Sequence, residues 1–594
     1  MAEDLESHRT HRGCHATPSI LACILVTILL LTPWSTTRAQ GARTGWAASI
    51  DSVFGHYTSK TPGCGLLIRR NDTTLYAHSY GDASLELGVP ITQRTVFNIG
   101  SASKEFTAAS ILLLVQDHKL SLDDDIRKYV PELHAPGGIV TIRQLLTHTS
   151  GWRDYVQLLS WQGRYVRDYV TPIDAMNVLE HQRELSFKPG TDFRYSNTGY
   201  FLMSLVVQRV SGESLAEFAQ KRIFEPLGMH HTRYVTDTRD VIHDAATAYE
   251  PAPRAAGYGA WREAMSDWDL VGAGGVYTTT EDLARWDDNF TSGRVGGRSL
   301  IDSLTTPQHL SNGVAIPYGL GLFVDSYAGQ QRVWHNGIWA GYRSIFMRFP
   351  QARLSIMALC NSADAQSESL ADAVADVLLP GQPVTRAATL ASLHAADAPL
   401  LTGLYYSVAS NQRVSIVADS GAVAIDGPPL RPLIPTGTRQ FRLSTGTTVL
   451  EFQPSAGEAR TMLSHNDGRI TSYSRVANPL PPTAFSQYAG RYRSDELGTE
   501  WSIVTDSGKL ILRDAREEDT PLRPIFRDAF DGVGTVHFER DDAGIVTALT
   551  VTTYGVRELR FIRVQPNARA SVNSVATSRL PTSCSSKAPR PCNY

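Results

Sequence analysis

Residues 415–421 read SIVADSG, and 87 residues later residues 502–508 read SIVTDSG. The same offset relates Gly403-Leu404-Tyr405 to Gly490-Arg491-Tyr492, and LRPL from Leu430 is echoed by LRPI from Leu522. A repeat fixes architecture before any local pattern does. From about Ala391 to Val564 the chain reads as short strands punctuated by Gly, Asp, Ser and Pro, so it predicts two copies of an all-β unit. Each copy is long enough to close into a small antiparallel barrel and hide its edges. From Gly41 to about Pro383 helical and extended patterns alternate instead, and that change marks a domain boundary.

The expected organisation therefore has five parts. A leader occupies 1–39, a mixed helix-and-strand domain 40–385, and the two barrels 392–477 and 482–565. A tail over 566–594, rich in Ser, Pro, Ala and Arg, reads as disordered. The leader carries Arg9 and Arg12 before an apolar run from Ile20 to Leu31. Pro33 and Thr37-Arg38-Ala39 then suit cleavage before Gln40, the pattern of an export signal. The alternative is an uncleaved membrane anchor, although the strongly apolar core is shorter than the roughly 20 residues a span requires. Cys14 and Cys23 would leave with the leader. Cys64, Cys360, Cys584 and Cys592 remain, an even number compatible with an oxidising compartment but with no pairing assigned.

Composition excludes several classes. A formal charge of −3 over 594 residues provides no basic face for nucleic acid. There is no G-x-S-x-G elbow, no H-E-x-x-H, no Walker A sequence and no complete G-x-G-x-x-G, so neither a metal nor a nucleotide cofactor is indicated. Only eight of the 56 basic residues are lysines. Arginine cannot lose its proton in a protein, so a surviving lysine draws notice as a potential base.

One such lysine stands in Ser101-Ala102-Ser103-Lys104, before the apolar run 106–115. A serine and a lysine three apart on a helix share a face. Ser101 is expected to open that helix, where N–H groups and the dipole favour a developing oxyanion. A buried lysine loses its charge readily and can take the serine proton. The plainer alternative is a capping serine and a solvated lysine. In Tyr195-Ser196-Asn197, an extended segment would point Tyr195 and Asn197 into one cleft. The phenol would relay a proton and the amide would hold a substrate carbonyl or amide; an ordinary loop is the alternative. In 333–339, VWHNGIW, a strand would put His335, Gly337 and Trp339 on one face. Glycine there suits the close approach of a substrate backbone. The Ile338 N–H would be a second oxyanion donor beside that of Ser101, and a satisfied structural histidine is the alternative.

In their order and spacing, Ser101-x-x-Lys104, Tyr195-x-Asn197 and His335-x-Gly337 resemble the serine β-lactamase and penicillin-binding-protein superfamily. The resemblance is nearest to the branch of class C β-lactamases, D-alanyl-D-alanine carboxypeptidases, D-aminopeptidases and β-lactamase-like esterases. FNIGSASKEFTA from Phe97, LLTHTSGW from Leu145, KPGTDFRYSNTGY from Lys188, IFEPLGM from Ile223, GAGGVYTTTEDLARW from Gly272 and YGLGL from Tyr318 extend it over about residues 45–365. It implies an α+β domain, an antiparallel sheet with an all-α subdomain, followed here by two lipocalin-like barrels. It also implies an acyl-enzyme without a cofactor. Ser101 attacks, Lys104 and Tyr195 share the proton transfers, Asn197, His335 and Gly337 bind substrate, and the Ser101 and Ile338 N–H groups form the oxyanion hole. Many β-lactamases have Lys-Thr-Gly where this chain has His335-Asn336-Gly337. Histidine is only partly charged near neutral pH, so attraction for a substrate carboxylate should be weaker.

The expectation is a serine hydrolase of D-amino-acid peptides, amides or esters. A β-lactamase, or a noncatalytic sensor of cell-wall fragments, is the alternative. The expected partner is a small-molecule or peptide substrate, with cell-wall fragments among the candidates. No nucleic acid is expected, and a membrane only if the leader stays. In some D-aminopeptidases a loop of such a barrel narrows the active-site mouth; a stability or attachment role weighs equally here.

Overall fold

The helix Lys104–Gln116 is buried from Lys104 to Leu114. Its sequence, KEFTAASILLLVQ, is apolar on almost every side, which a surface helix cannot be. It is accordingly wrapped by Asn197–Ser211, Leu215–Ala219 and Gly297–Thr305, forming the helical half of the domain. The computed structural model describes residues 36–134, 137–252, 260–379 and 398–565, with breaks at 411, 420–421, 427–430, 444–447, 467–468 and 477–481. Residues 1–35 of the expected leader, the whole expected tail, and Cys584 and Cys592 lie outside the described residues. A helix, Thr36–Val53, runs through the expected cleavage point. From Ser49 onward the chain forms one compact unit.

The other half of the domain is an antiparallel sheet of six strands. Their spatial order is Phe323–Tyr327, Gln330–Trp339, Tyr342–Phe349, Leu354–Cys360, Cys64–Arg70 and Thr73–Tyr80. Leu354–Cys360, LSIMALC, is buried at every position and apolar at all but Ser355, as suits a strand covered on both faces. At one end of the sheet Cys64 lies opposite Cys360, and the two form a disulfide across adjacent strands. Phe323–Tyr327 pairs with Gln330–Trp339 only as far as Trp334. The edge of that strand from His335 to Trp339 is thus left for another element, the turn that carries Ser101.

The sequence repeat becomes two closed barrels of eight antiparallel strands. The first runs from Gly403–Ser407 to Arg469–Arg475 and the second from Gly490–Ser494 to Leu559–Arg563. Both close the same way. Tyr405 lies opposite Arg475 and Tyr492 opposite Arg563, and the arginine side chain lies over the glycine that starts the first strand. A Cβ on Gly403 would sit 2.7 Å from Arg475 Nε, and one on Gly490 would sit 2.9 Å from Arg563 Nε. Glycine therefore recurs in the repeat because the closing arginine occupies the space of a side chain. Each tyrosine hydroxyl donates to the carbonyl four residues back, Leu401 at 2.9 Å and Tyr488 at 2.7 Å.

The barrels differ in what they rest on. The first has its own core around Tyr405, Phe441 and Phe452. The core of the second, with Tyr492, Trp501 and Phe538, is continuous with that of the mixed helix-and-strand domain. Trp501 makes the join: its indole N–H donates to the Trp161 carbonyl at 3.1 Å, and the two rings meet edge to face at 6.0 Å. The first barrel touches the second through the Arg413–Asp531 ion pair and the Tyr406 and Phe526 rings. Among the described residues no helix is long and apolar enough to cross a membrane. Trp501→Ala is expected to cost about 3–5 kcal/mol, the range for a truncated buried aromatic, and a denaturant titration of both proteins measures it.

Candidate active site

Ser101 lies in a single 3-10 turn, Gly100–Ser103, and Lys104 is the first residue of the α-helix that follows. The serine thus precedes the helix instead of opening it. The turn is tied down on several sides. Ser103 Oγ donates to the Gly100 carbonyl at 2.7 Å and accepts from the Val276 N–H at 3.1 Å, and the Tyr234 hydroxyl donates to the Ser103 carbonyl. A nucleophile held this way loses little entropy when it reacts.

Lys104 is fully buried. Its Nζ lies 3.0 Å from Ser101 Oγ, 2.9 Å from Asn197 Oδ1 and 2.7 Å from the Ala273 carbonyl oxygen. Burial lowers its pKa to about 7, against an opposing pull from Asp154. The Tyr195 and Tyr200 rings complete its surroundings, with Nζ 4.9 Å and 5.5 Å from their centroids. The polarity of the three hydrogen bonds follows from chemistry. The Asn197 and Ala273 oxygens can only accept. In the neutral amine they take both N–H bonds, and the lone pair remains for the Ser101 hydroxyl.

Tyr195 and Asn197 do not share an extended segment. Ser196 caps a helix that begins at Asn197, its side chain accepting from the Thr198 N–H at 3.3 Å. A Ser at such a junction satisfies an otherwise unpaired helix N–H, and this is why extended alternation ends there. The two side chains still meet at Lys104. The Tyr195 hydroxyl is buried, with no partner in hydrogen-bond geometry among the described residues. Burial raises its pKa well above the ordinary phenol value, and the facing Ser101 hydroxyl only partly offsets this. The Asn197 amide is engaged at both ends, with Oδ1 on Lys104 and Nδ2 donating to Asp154 Oδ2 at 2.9 Å.

His335 and Gly337 differ from the sequence expectation. Gly337 is glycine because this chain's own backbone approaches it: a Cβ there would lie 1.8 Å from the Ile99 carbonyl oxygen. That carbonyl accepts from Ser344 Oγ at 2.7 Å on the neighbouring strand. The glycine therefore seats the nucleophile turn on the strand, where a substrate backbone was expected. A Cβ on Gly100 would lie 2.8 Å from the Ile338 N, so the turn also abuts the predicted oxyanion donor. The Ile338 side chain is exposed. His335 is buried behind the site, with Nε2 3.1 Å from the Tyr318 hydroxyl and Nδ1 against the Asn336 carbonyl. Burial, reinforced by Lys104, lowers its pKa to about 3. It is neutral at pH 7, where the sequence suggested partial charge.

Several functional residues were not singled out in the sequence. Asp154 lies behind Asn197, and its Oδ1 accepts from the Gln157 N–H at 3.1 Å. His148 has a positive φ of 58° and is buried. Its ring lies 4.3 Å from that of Tyr195, and its Nδ1 accepts from the Ser196 N–H. The connection 553–558 of the second barrel also reaches the site. The Asp154 N–H donates to the Gly555 carbonyl at 3.0 Å, and Arg194 donates to the Tyr554 carbonyl. Tyr554 is close enough to Tyr195 to raise its pKa further.

The cleft over Ser101 has a volume of about 170 Å³. Tyr155, Trp268, Leu270 and Trp339 give it aromatic and apolar walls, and none of its lining side chains among the described residues carries a formal charge. No group of three or more His, Cys, Asp or Glu among the described residues is arranged to hold a metal ion.

Comparison with known proteins gives a consistent result. The family described as Beta-lactamase matches residues 50–379. A D-aminopeptidase of Gluconobacter oxydans (strain 621H) is 28% identical over 545 residues, covering 87% of this chain and 99% of that protein. A D-aminopeptidase of Brucella anthropi is 26% identical over 534 residues, covering 85% and 96%. Among solved structures, the octameric penicillin-binding protein homologue from Pyrococcus abyssi aligns with a TM-score of 0.51 at 22% identity, covering 80% of this chain and 99% of that one. That likeness is one of fold.

Proposed function

The chain belongs to the Beta-lactamase family, and on that footing we propose a serine hydrolase that opens D-amino-acid peptides, amides or esters through an acyl-enzyme on Ser101. The observation that carries the chemistry is the three-way coordination of Lys104 Nζ, which leaves a neutral amine's lone pair facing the serine hydroxyl. As Ser101 Oγ bonds to the substrate carbonyl carbon, its proton passes to Lys104 Nζ. The carbonyl electron pair moves onto oxygen, where the Ser101 and Ile338 N–H groups receive it. On collapse the carbon–leaving-group bond breaks, and the departing amine or alkoxide takes up a proton. Tyr195, held protonated by burial, is the relay for that proton, with Lys104 its source. Water then repeats the sequence on the ester and frees Ser101.

The substrate class is supported from two directions. The relatives that match over nearly their full length are named D-aminopeptidase. The cleft in this chain is uncharged and aromatic, and His335 is neutral, so a substrate carboxylate finds no cation there. That disfavours a dedicated β-lactamase or carboxypeptidase. The loop 553–558 lies beside Asp154 and Tyr195, on the side of the site away from the cleft lining. Export to the periplasm or medium is part of this proposal. It is supported by the leader and by the Cys64–Cys360 disulfide, a bond that persists in oxidising compartments.

Four measurements test the reading. A panel of D- and L-alanyl p-nitroanilide, short p-nitrophenyl esters and nitrocefin should show turnover of the D-anilide and the esters, with nitrocefin poorest. Ser101→Ala should lose all labelling by a fluorophosphonate, and turnover of nothing alongside tight ligand binding would favour a sensor. Because the base must be neutral and its pKa lies at about 7, kcat/KM should fall about tenfold per pH unit below that value and level off above it. A pH–rate profile checks this, with no inflection expected from His335. The exported protein should begin at Gln40, as read by N-terminal sequencing.

A further inference from the structure

Among the described residues Asp154 is the carboxylate that acts on Lys104, and it does so at second hand. It is buried, and all the bonds that hold it come from donors. Its Oδ2 accepts from both the Asn197 N–H, at 2.5 Å, and Asn197 Nδ2, at 2.9 Å; its Oδ1 accepts from the Gln157 N–H. Its own N–H is fixed on the Gly555 carbonyl of the second barrel. A carboxylate surrounded by donors has no alternative arrangement. A primary amide such as Asn197 does, because its oxygen and nitrogen ends exchange with little change of shape.

We propose that Asp154 is a positioning residue for the acylation step, locking the Asn197 amide with its oxygen toward Lys104 so that the Lys104 lone pair must face Ser101. The consequence is stereoelectronic. With Asn197 Oδ1 toward Nζ, the neutral amine spends its two N–H bonds on Asn197 and Ala273 and keeps the lone pair for the serine proton. With the amide reversed, its N–H would point at Nζ and take the lone pair, and Lys104 would no longer serve as base. Asp154 also supplies negative charge, one amide away, when Lys104 becomes an ammonium on accepting the proton. The remaining groups facing Lys104 are neutral or cationic: the phenols of Tyr195 and Tyr200, and His148 and His335, whose protonation Lys104 itself opposes.

The proposal rests on Ser101 as nucleophile and Lys104 as base, but not on the identity of the substrate. It is therefore tested with a fluorophosphonate, which reports acylation alone. Asp154→Asn removes the charge, and a carboxamide cannot accept from Asn197 and Gln157 at once. The labelling rate at its high-pH plateau is expected to fall about 10²-fold, the low end for a misplaced proton-transfer group. The acid limb should move to lower pH, because the attraction that holds the proton on Lys104 is gone. Asp154→Glu, which keeps the charge, should leave the acid limb where the unaltered enzyme has it. Asn197→Ala severs the link and leaves Asp154 in place. Its plateau labelling rate should fall about as far, through loss of the oriented amide, while the acid limb, still set by the Asp154 charge, moves less; it stands as the test if Asp154→Asn does not fold. Combined with Asp154→Asn it should add little, since the two residues act in series. An unmoved acid limb in Asp154→Asn, or plateau rates in Asp154→Asn and Asn197→Ala lowered only by the loss of titratable active sites, would overturn the proposal. So would full additivity of the two substitutions.

Discussion

The burial of one amine organises this molecule. Lys104 begins a helix with no solvent-exposed face for its first three turns, so its Nζ cannot reach water and must be satisfied by protein. Desolvation brings its pKa to about 7, near the working range of a base. Each neighbour meets a need of that amine. Ala273 and Asn197 provide acceptors, Ser101 provides the hydroxyl, Tyr195 and Tyr200 provide ring faces, and Asp154 provides a compensating charge behind the Asn197 amide. The two nearby histidines stay neutral because they are buried beside it.

The second barrel belongs to this arrangement more than its position in the chain suggests. Its core runs into that of the catalytic domain through Trp501 and Trp161, and Arg153, one residue before Asp154, pairs with Glu496 at 2.8 Å and with the Arg557 carbonyl. With Gly555 holding the Asp154 N–H, the barrel grips the short segment that supports Asn197. The first barrel, related to it by sequence, has a separate core. Duplication of a fold unit therefore did not duplicate its contacts, and the connection 553–558 belongs to the copy that reaches the site.

Much of the fold was legible. The 87-residue repeat predicted two small antiparallel barrels, and the repeated glycine and tyrosine are the residues that meet the closing arginines. The apolar run after Lys104 predicted a buried helix. Local patterns misled where a tertiary contact dictated the residue. Gly337 in a strand suggested room for a substrate, but the Ile99 carbonyl fills that room. Tyr195-Ser196-Asn197 read as extended because an N-cap residue is itself extended, and the helix begins only at Asn197. Asp154 gave no signal, because an aspartate before an apolar helix is an ordinary N-cap and its second role depends on residues 43 and 401 positions away.

The sequence alone determined which chemistry was available: a serine and a lysine one helical turn apart, a tyrosine and an amide, and the strand to seat them, with no metal or nucleotide signature. These are properties of residue type and local spacing, and a sequence carries both. Only the tertiary structure decided the state of those groups. That Lys104 titrates near 7, that His335 is neutral, and that the Asn197 amide faces one way all follow from what is excluded or brought close around them. Desolvation and hydrogen-bond polarity are set by neighbours distant in the chain, so they exist only once the helix, the sheet and the second barrel have closed around the site.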